Sequence, residues 1–345
     1  MNPTGDGETG RFEQQRAILR DGRFFKLICG AGNEDPKEVY KLSLVYSLGG
    51  ALGIDLSARA DVVSSARRAI DDAERMAGAF GLSEWVRPFL TVSVGMPGDH
   101  HVRKATILGN KCTKCNACIP VCPTDAIPAG LVIIESRCIG CGACSVACQD
   151  DAIGYHHKEI EMERVLRDCV DAGAENIELH AAVVDHEPTL KEWEIVNRIL
   201  PAGFVSVCLD RGYLSNHELR RRIELMLAIA PGRMIVQADG IPMSGGTDDY
   251  NTTLQAIATA DIVAKTKLPV HILLSGGTNS KTIELARSCG VPYAGVSIGT
   301  FARHLVYELI NDPRFPDESV LRPAVERARK LVDTCNANGA PGTPR

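Results

Sequence analysis

No stretch of this chain approaches the roughly 18 consecutive apolar residues of a membrane-crossing helix. The opening segment, Met1 to Gly10, is polar and acidic and lacks the apolar centre of a secretory signal. Positive charge is not in excess either: 38 Lys and Arg face 43 Asp and Glu, for a net charge of -5 and a pI near 6.0. The basic residues are spread along the chain, so the electrostatic footprint of a nucleic-acid binder is missing. Neither a membrane nor a nucleic acid is expected as a partner. A disulfide framework is not expected, because most of the 13 cysteines fall into metal-ligand spacings, which suit a reducing compartment, and a cytoplasmic location follows as the expectation.

What is present is a duplicated cysteine run. Cys112-x2-Cys115-x2-Cys118-x3-Cys122 is repeated 26 residues later as Cys138-x2-Cys141-x2-Cys144-x3-Cys148. The repeat continues past the cysteines, with Asp125-Ala126-Ile127 after the first run and Asp151-Ala152-Ile153 after the second, and Leu131 to Glu135 reads as a central strand between them. Thiolates at i, i+3 and i+6 on a tightly curled loop reach three irons of one cube, and the fourth ligand must come from elsewhere. A zinc ribbon is the competing reading, but ribbons use two separated C-x2-C pairs and leave the extra cysteines of each run without a role.

Residues 103–158 resemble a bacterial-type two-cluster ferredoxin. In that family the fourth cysteine of each run ligates the other cluster. The resemblance therefore implies one 4Fe-4S cluster on Cys112, Cys115, Cys118 and Cys148, and a second on Cys138, Cys141, Cys144 and Cys122, with backbone amides directed at the sulfurs. One departure stands out: Pro123 follows Cys122 as in the ferredoxin pattern, but Gln149 follows Cys148. Without the fixed dihedral of proline the chain there is expected to be looser and the first cluster more open to solvent. The other five cysteines have no C-x-x-C partner. Cys29, Cys169, Cys208 and Cys289 read as ordinary buried thiols, and Cys335 borders a Gly/Pro-rich tail, Asn336 to Arg345, expected to be disordered.

A ferredoxin needs only a small part of 345 residues, and 45% hydrophobic composition leaves ample material for a larger core. Outside the cysteine runs, short β-branched or apolar stretches alternate with amphipathic ones, as in repeated βα units. Strands are expected at Phe24–Cys29, Ala51–Ser57, Phe89–Val94, Asn176–Val183, Phe204–Leu209, Met234–Ala238, Val270–Ser275 and Ala294–Ile298, each followed by a helical pattern. Eight units predict a (β/α)8 TIM-like barrel, formed by residues 20–102 and 159–312, with 103–158 inserted after the third strand and 313–345 as a C-terminal helix and tail. An open doubly wound sheet is the alternative. Barrels keep their active sites at the C-terminal face, so the insertion belongs beside the barrel mouth.

Two glycine-bearing loops follow the last two strands, Ser275-Gly276-Gly277-Thr278-Asn279 and Ser297-Ile298-Gly299-Thr300, where barrels commonly bind phosphate. Gly276, Gly277, Thr278, Gly299 and Thr300 are thus candidate contacts for FMN or another phosphate-containing ligand, the other reading being plain turns. Pro242 to Thr247 reads as a loop. Asp55, Ser57, His180, Asp210, Arg211, Gln237 and Asp239 converge at strand ends, and could position a substrate or simply cap helices. Lys26 sits inside an apolar first strand and needs an interior acid. His100-His101 and His156-His157 flank the insertion as exposed linker residues.

The stretch Phe24 to Ala31, the ferredoxin runs after the third strand, and Gln237 to Gly245 together resemble the light-dependent period protein A family of cyanobacteria and their relatives. That resemblance implies an iron–sulfur protein that senses cellular redox state and passes it to the circadian clock, and a redox partner protein is expected. Three readings stand at this level: redox sensor, electron carrier, and an oxidoreductase that delivers electrons to a flavin or phosphorylated substrate at the barrel mouth. No general-base constellation stands out, which leaves catalysis behind the other two.

Overall fold

The computed structural model describes residues 5–99, 102–158, 160–240 and 250–336. The chain opens with α1 (Gly5–Arg20) and then alternates through β1 (Phe24–Ile28), α2 (Pro36–Leu48), β2 (Gly53–Ser57), α3 (Ala60–Met76) and β3 (Phe89–Gly95). The insertion follows, with β4 (Arg103–Ile107), the short α4 (Ala143–Ala147) and β5 (Ile153–His157). Alternation resumes with α5 (Met162–Ala172), β6 (Asn176–His180), α6 (His186–Ile199), β7 (Val205–Leu209), α7 (Asn216–Ile229), β8 (Met234–Asp239), α8 (Tyr250–Lys265), β9 (His271–Ser275), α9 (Thr282–Ser288), β10 (Gly295–Ile298) and α10 (Thr300–Ile310), and ends in α11 (Glu318–Asn336).

Helix starts carry local signals. Asp35 accepts the Lys37 and Glu38 amides at the head of α2, with Pro36 behind it, and Ser215 accepts the Glu218 amide at 3.2 Å to start α7. Gly173 ends α5 at φ +116°.

Eight strands pair in parallel around a closed ring ordered β1-β10-β9-β8-β7-β6-β3-β2. The chain is a (β/α)8 barrel, and the open-sheet alternative fails because β1 pairs with both β10 and β2. β3 pairs directly with β6, so the insertion leaves no gap in the wall. Inside the insertion β4 and β5 form an antiparallel pair, Arg103 opposite His157 through Ile107 opposite Ile153. His156 and His157 therefore lie on a strand rather than in a linker, while His100 and His101 lie outside the described residues. The expected strand at Leu131–Glu135 does not form: Leu131 has φ +55°, and the side chains of Leu131 and Ile133 instead line two cysteine-walled cavities. Their side chains cover the cavities, and the segment's backbone makes isolated bonds, such as the Ile134 amide to the Ala126 carbonyl at 2.8 Å, rather than a strand ladder.

Register sends every second strand residue into the barrel. The lower interior is apolar, with Phe24, Phe89, Phe204, Ile235 and Leu273 packed on Ile18 and Leu19 of α1, which closes that end. The next layer is polar. Lys26 donates to Glu178 Oε2 at 2.6 Å with both side chains at most 2% exposed, Ser206 donates to the same oxygen at 2.9 Å, and Gln237 Nε2 donates to it as well. Ser297 Oγ donates to Gln237 Oε1 at 2.7 Å. Burial works against the Lys26 charge, but the Glu178 and Asp55 carboxylates more than offset it and hold its pKa above the usual range. The outer faces of the strands pack on the helices, and α11 adds Leu321, Val325, Leu331 and Cys335 to that core. Of the tail expected to be disordered, Asn336 to Arg345, Asn336 is the last residue of α11 and 337–345 lie outside the described residues.

Lys26→Met is expected to strand Glu178 as an uncompensated buried carboxylate, at a cost of about 3–5 kcal/mol. Urea denaturation should show Lys26→Met with Glu178→Gln to be more stable than Lys26→Met alone; equal or lower stability of the double variant would contradict the pairing.

Candidate functional site

The two cysteine runs fold into neighbouring loops. One cavity is lined by Cys122, Cys138, Cys141 and Cys144, and a second by Cys112, Cys115, Cys118 and Cys148. We call these the inner and outer sets. The duplication is visible in the backbone: Asp125 and Asp151 share φ near +50° (49° and 48°), which turns the following amides of Ala126 and Ala152 back onto Cys122 Sγ at 3.2 Å and Cys148 Sγ at 3.3 Å. The Ala105 amide donates to Cys138 Sγ at 3.3 Å and the Lys114 amide to Cys112 Sγ at 3.4 Å. Burial raises the Cys141 thiol and takes Cys144 to about 11. Four crowded thiols of this kind ionise only with cations between them, and iron–sulfur cubes supply those cations while the amides take the remaining sulfur charge. The donor sets fit two 4Fe-4S clusters.

The outer set is the more open, with Cys115 exposed and Cys112 and Cys148 half-buried, whereas Cys138 and Cys144 of the inner set are buried. The inner set faces the barrel. Lys104 of β4, 2% exposed, donates to the carbonyls of Gly32 at 2.5 Å and of Glu135 and Cys138 at 2.9 Å, and pairs with Glu34 at 3.2 Å. Gly32 has to be glycine, since a Cβ there would lie 2.8 Å from the Cys138 carbonyl oxygen. The Glu34 amide donates to the Ser136 carbonyl at 2.7 Å, and Tyr307 of α10 donates to Asp125. Burial pushes the Glu34 carboxyl up, but the Lys104 and Lys158 ammonium groups outweigh it and hold its pKa below the ordinary range.

A cavity of about 130 Å³ joins the inner set to the barrel mouth. Ile139, Gly140 and Cys141 form one wall, and Gly276, Gly277, Thr278, Gly299 and Thr300 form another. Gly276 and Gly277 take φ +61° and +74°. Thr278 Oγ1 donates to the Ser297 carbonyl at 2.5 Å, and Thr252 of α8 donates to the Gly277 carbonyl at 2.9 Å, so both glycine loops are held in place. Glu178, His180, Cys208 and Asp239 line the same space from the barrel interior. Arg303 of α10, buried, donates to the Cys29 carbonyl at 2.6 Å and to Glu38 at 3.1 Å, and its charge reaches Cys141.

Of the strand-end residues read from the sequence, His180 and Asp239 line this cavity, and Gln237 lies buried in the network beneath it. Asp55 is buried and accepts from Ser93 Oγ, and Ser57 donates to the Asn33 carbonyl at 2.7 Å. Asp210 turns its own loop by accepting the Gly212 amide at 2.8 Å, and Arg211 is exposed. Pro242 to Thr247 lie outside the described residues. Cys29, Cys169 and Cys208 are buried as expected, but Cys289 is exposed, because it ends the seven-residue α9 on its outer side. Sequence reasoning missed Glu178, Lys104 and Arg303. Inward alternation in Asn176-Ile177-Glu178-Leu179-His180 was a signal for Glu178, while nothing local marks the other two.

Fold and site together define a two-cluster iron–sulfur protein built on a (β/α)8 barrel. The family model of the 4Fe-4S binding domain matches residues 105–127 and 131–154, and that of the light dependent period A C-terminal domain matches residues 167–334. Light dependent period A of Synechococcus elongatus is 30% identical over 329 residues, 91% of each chain. The chain belongs to the light dependent period A family. Among solved structures, the YdjI aldolase of Escherichia coli K12 aligns at TM-score 0.45 and 8% identity over 94% of this chain and 92% of its own. A truncated 3-deoxy-D-arabino-heptulosonate 7-phosphate synthase of Thermotoga maritima aligns at TM-score 0.45 and 12% identity, over 92% and 88%. Likenesses this distant carry no argument about chemistry. No helix among the described residues is long and apolar enough to cross a membrane.

Lys104→Met removes the donor to three carbonyls and the partner of Glu34, and is expected to lower thermal stability and to open residues 103–158 to limited proteolysis. Glu34 contributes stability that is present above its unfolded pKa, about 4.3, and is lost as pH falls through its lower folded value. The difference in stability between wild type and Lys104→Met should therefore shrink as pH drops below about 4; a constant difference from pH 7 to 3 would contradict this account.

Proposed function

We propose that this protein is a redox sensor in the cytoplasm: Cys112, Cys115, Cys118 and Cys148 hold one 4Fe-4S cluster, Cys138, Cys141, Cys144 and Cys122 hold the other, and the state of the inner one is read at the barrel mouth. Bound clusters of this kind take up and release single electrons. The observation that carries the reading is that Cys141 shares one cavity with the barrel's glycine loops. A charge change beside Cys141 acts there through a buried path, where it is screened less than in water. The exposed Cys115 and the exposed apolar side chains Val132 and Val146 give a redox partner protein a place to approach the outer set. Lys104 and Arg303 set positive charge beside Cys138 and Cys141, which favours an electron-rich inner set. A redox-input role toward a partner, of the kind the family resemblance implies, is consistent with this arrangement.

The cavity supports a second reading, an oxidoreductase that passes electrons to a ligand held there. Gly276, Gly277, Thr278, Gly299 and Thr300 would hold FMN or another phosphate-bearing molecule by their amides and hydroxyls.

Anaerobic reconstitution should give about eight irons and eight sulfides per chain. Cys115→Ser and Cys141→Ser should each lose a different cluster, seen as loss of different components of the reduced EPR spectrum. Tightly bound zinc without broad absorption near ~400 nm would end the iron–sulfur assignment. For the ligand site, calorimetric titration with FMN and with inorganic phosphate should detect binding that Gly277→Asp abolishes without changing far-UV circular dichroism. No binding of either by wild type would leave the loops as turns.

A further inference from the structure

Glu178, His180 and Cys208 form a cluster inside the barrel that two-cluster chemistry does not use. Strand register brings them together: His180 of β6 is paired with Cys208 of β7, and Glu178 lies two residues before His180 on the same inward face. One donor atom from each, a carboxylate oxygen, an imidazole nitrogen and the Cys208 sulfur, lies within 4.8 Å of the other two, and all three residues are buried. The Glu178 carboxylate is divided in its duties. Oε2 accepts from Lys26, Ser206 and Gln237, which fixes its orientation, and Oε1 lies 3.5 Å from His180 Nε2. Metal-bound carboxylates are held in this way by donors to the second oxygen. Ligands of a tetrahedral zinc at roughly 2.0–2.3 Å from the ion lie about 3.5 Å apart, so Oε1 and Nε2 already have the needed separation. Cys208 donates to Asp239 Oδ2, which places an acceptor where the thiol proton must leave.

We propose that Glu178, His180 and Cys208 bind one divalent transition-metal ion, open on its remaining side to the barrel-mouth cavity. Imidazole, thiolate and carboxylate together suit zinc or ferrous iron and disfavour magnesium or calcium, which take oxygen ligands. Lys26 opposes a dication here, and Asp55 and Asp239, buried in the same region, offset it. Binding releases one proton from Cys208. Three protein ligands and an open position are the arrangement of sites that hold a water or a substrate oxygen, and this position faces the space bounded by Gly277 and Cys141. The inference concerns barrel residues alone and does not depend on the redox-sensing reading.

The test uses cluster-loaded protein, reconstituted anaerobically and freed of excess metal by a chelator, so that the ferredoxin-type cysteines are occupied. Titration with Zn²⁺ should add one equivalent with iron unchanged, and zinc absorption spectroscopy should show a single Zn–S contact near ~2.3 Å. Cys208→Ser and His180→Gln should each weaken zinc at least tenfold while keeping wild-type iron and circular dichroism, and Cys289→Ser, at an exposed thiol, should bind as wild type. If one variant fails to fold, the other decides. A full complement of iron with no stoichiometric zinc would overturn the site and leave the iron–sulfur assignment standing. Zinc bound equally by both variants, or a shell of three or four sulfurs, would overturn it too, because the ion would then sit on displaced cluster cysteines.

Discussion

Lys104 stands between two parts of the chain that could otherwise move independently. Its ammonium is almost wholly buried, and burial lowers its pKa, so the charge persists only because three carbonyls and Glu34 surround it. One carbonyl belongs to the β1–α2 loop of the barrel and two to the chain leading into the second cysteine run. Satisfying this single cation therefore fixes the inner set against the barrel mouth. Glu34 extends the junction outward through Lys158 at 3.1 Å and Arg59 at 3.4 Å, contacts that are more exposed and correspondingly weaker. If Lys104 were apolar, the junction would keep the Glu34 amide on the Ser136 carbonyl and Tyr307 on Asp125 but lose its buried cation and the bond to Gly32, and the wall of the shared cavity would be held less firmly.

The same logic governs the barrel interior. A barrel is ordinarily filled by branched apolar side chains, and the lower layer is likewise apolar, with Ile235 and Leu273 beside the aromatic Phe24, Phe89 and Phe204. Above it the strands present Lys26, Glu178, Ser206, Gln237 and Ser297, a network worth keeping only if every member is satisfied. An apolar filling of equal volume would serve stability as well or better. The polar layer is thus hard to explain by folding alone, and it lies directly below the cavity that meets Cys141.

Much of this was legible in the sequence. Short β-branched or apolar runs between amphipathic stretches located all eight barrel strands, because parallel strands buried on both faces are short, apolar and bounded by turns. The cysteine spacing located both sets. Lys26 announced a buried acid, though not which one. The misses have physical reasons. Leu131 to Glu135 reads as a strand because it is a run of β-branched and apolar residues, yet Leu131 and Ile133 line the two cavities while Val132 and Ile134 are exposed. The β4–β5 pair joins segments some 46 residues apart, Ile107 and Ile153, and neither carries a turn signal for the other. α1 has a weakly amphipathic sequence, and its burial against Phe204, where Phe12 stacks at 4.5 Å, is a tertiary effect. Lys104 and Arg303 look like ordinary surface cations until the chain folds around them.

The central claim is that charge at the inner cysteine set and charge at the barrel mouth are coupled. EPR-monitored redox titration of the reconstituted wild type and Thr300→Glu tests it, since Thr300 heads α10, lines the cavity shared with Cys141 and belongs to neither cysteine run. The account predicts that one of the two cluster midpoints falls in the variant, the one lost in Cys141→Ser, while the other stays where it was. Two unchanged midpoints, or a shift confined to the cluster that Cys115→Ser removes, would contradict it.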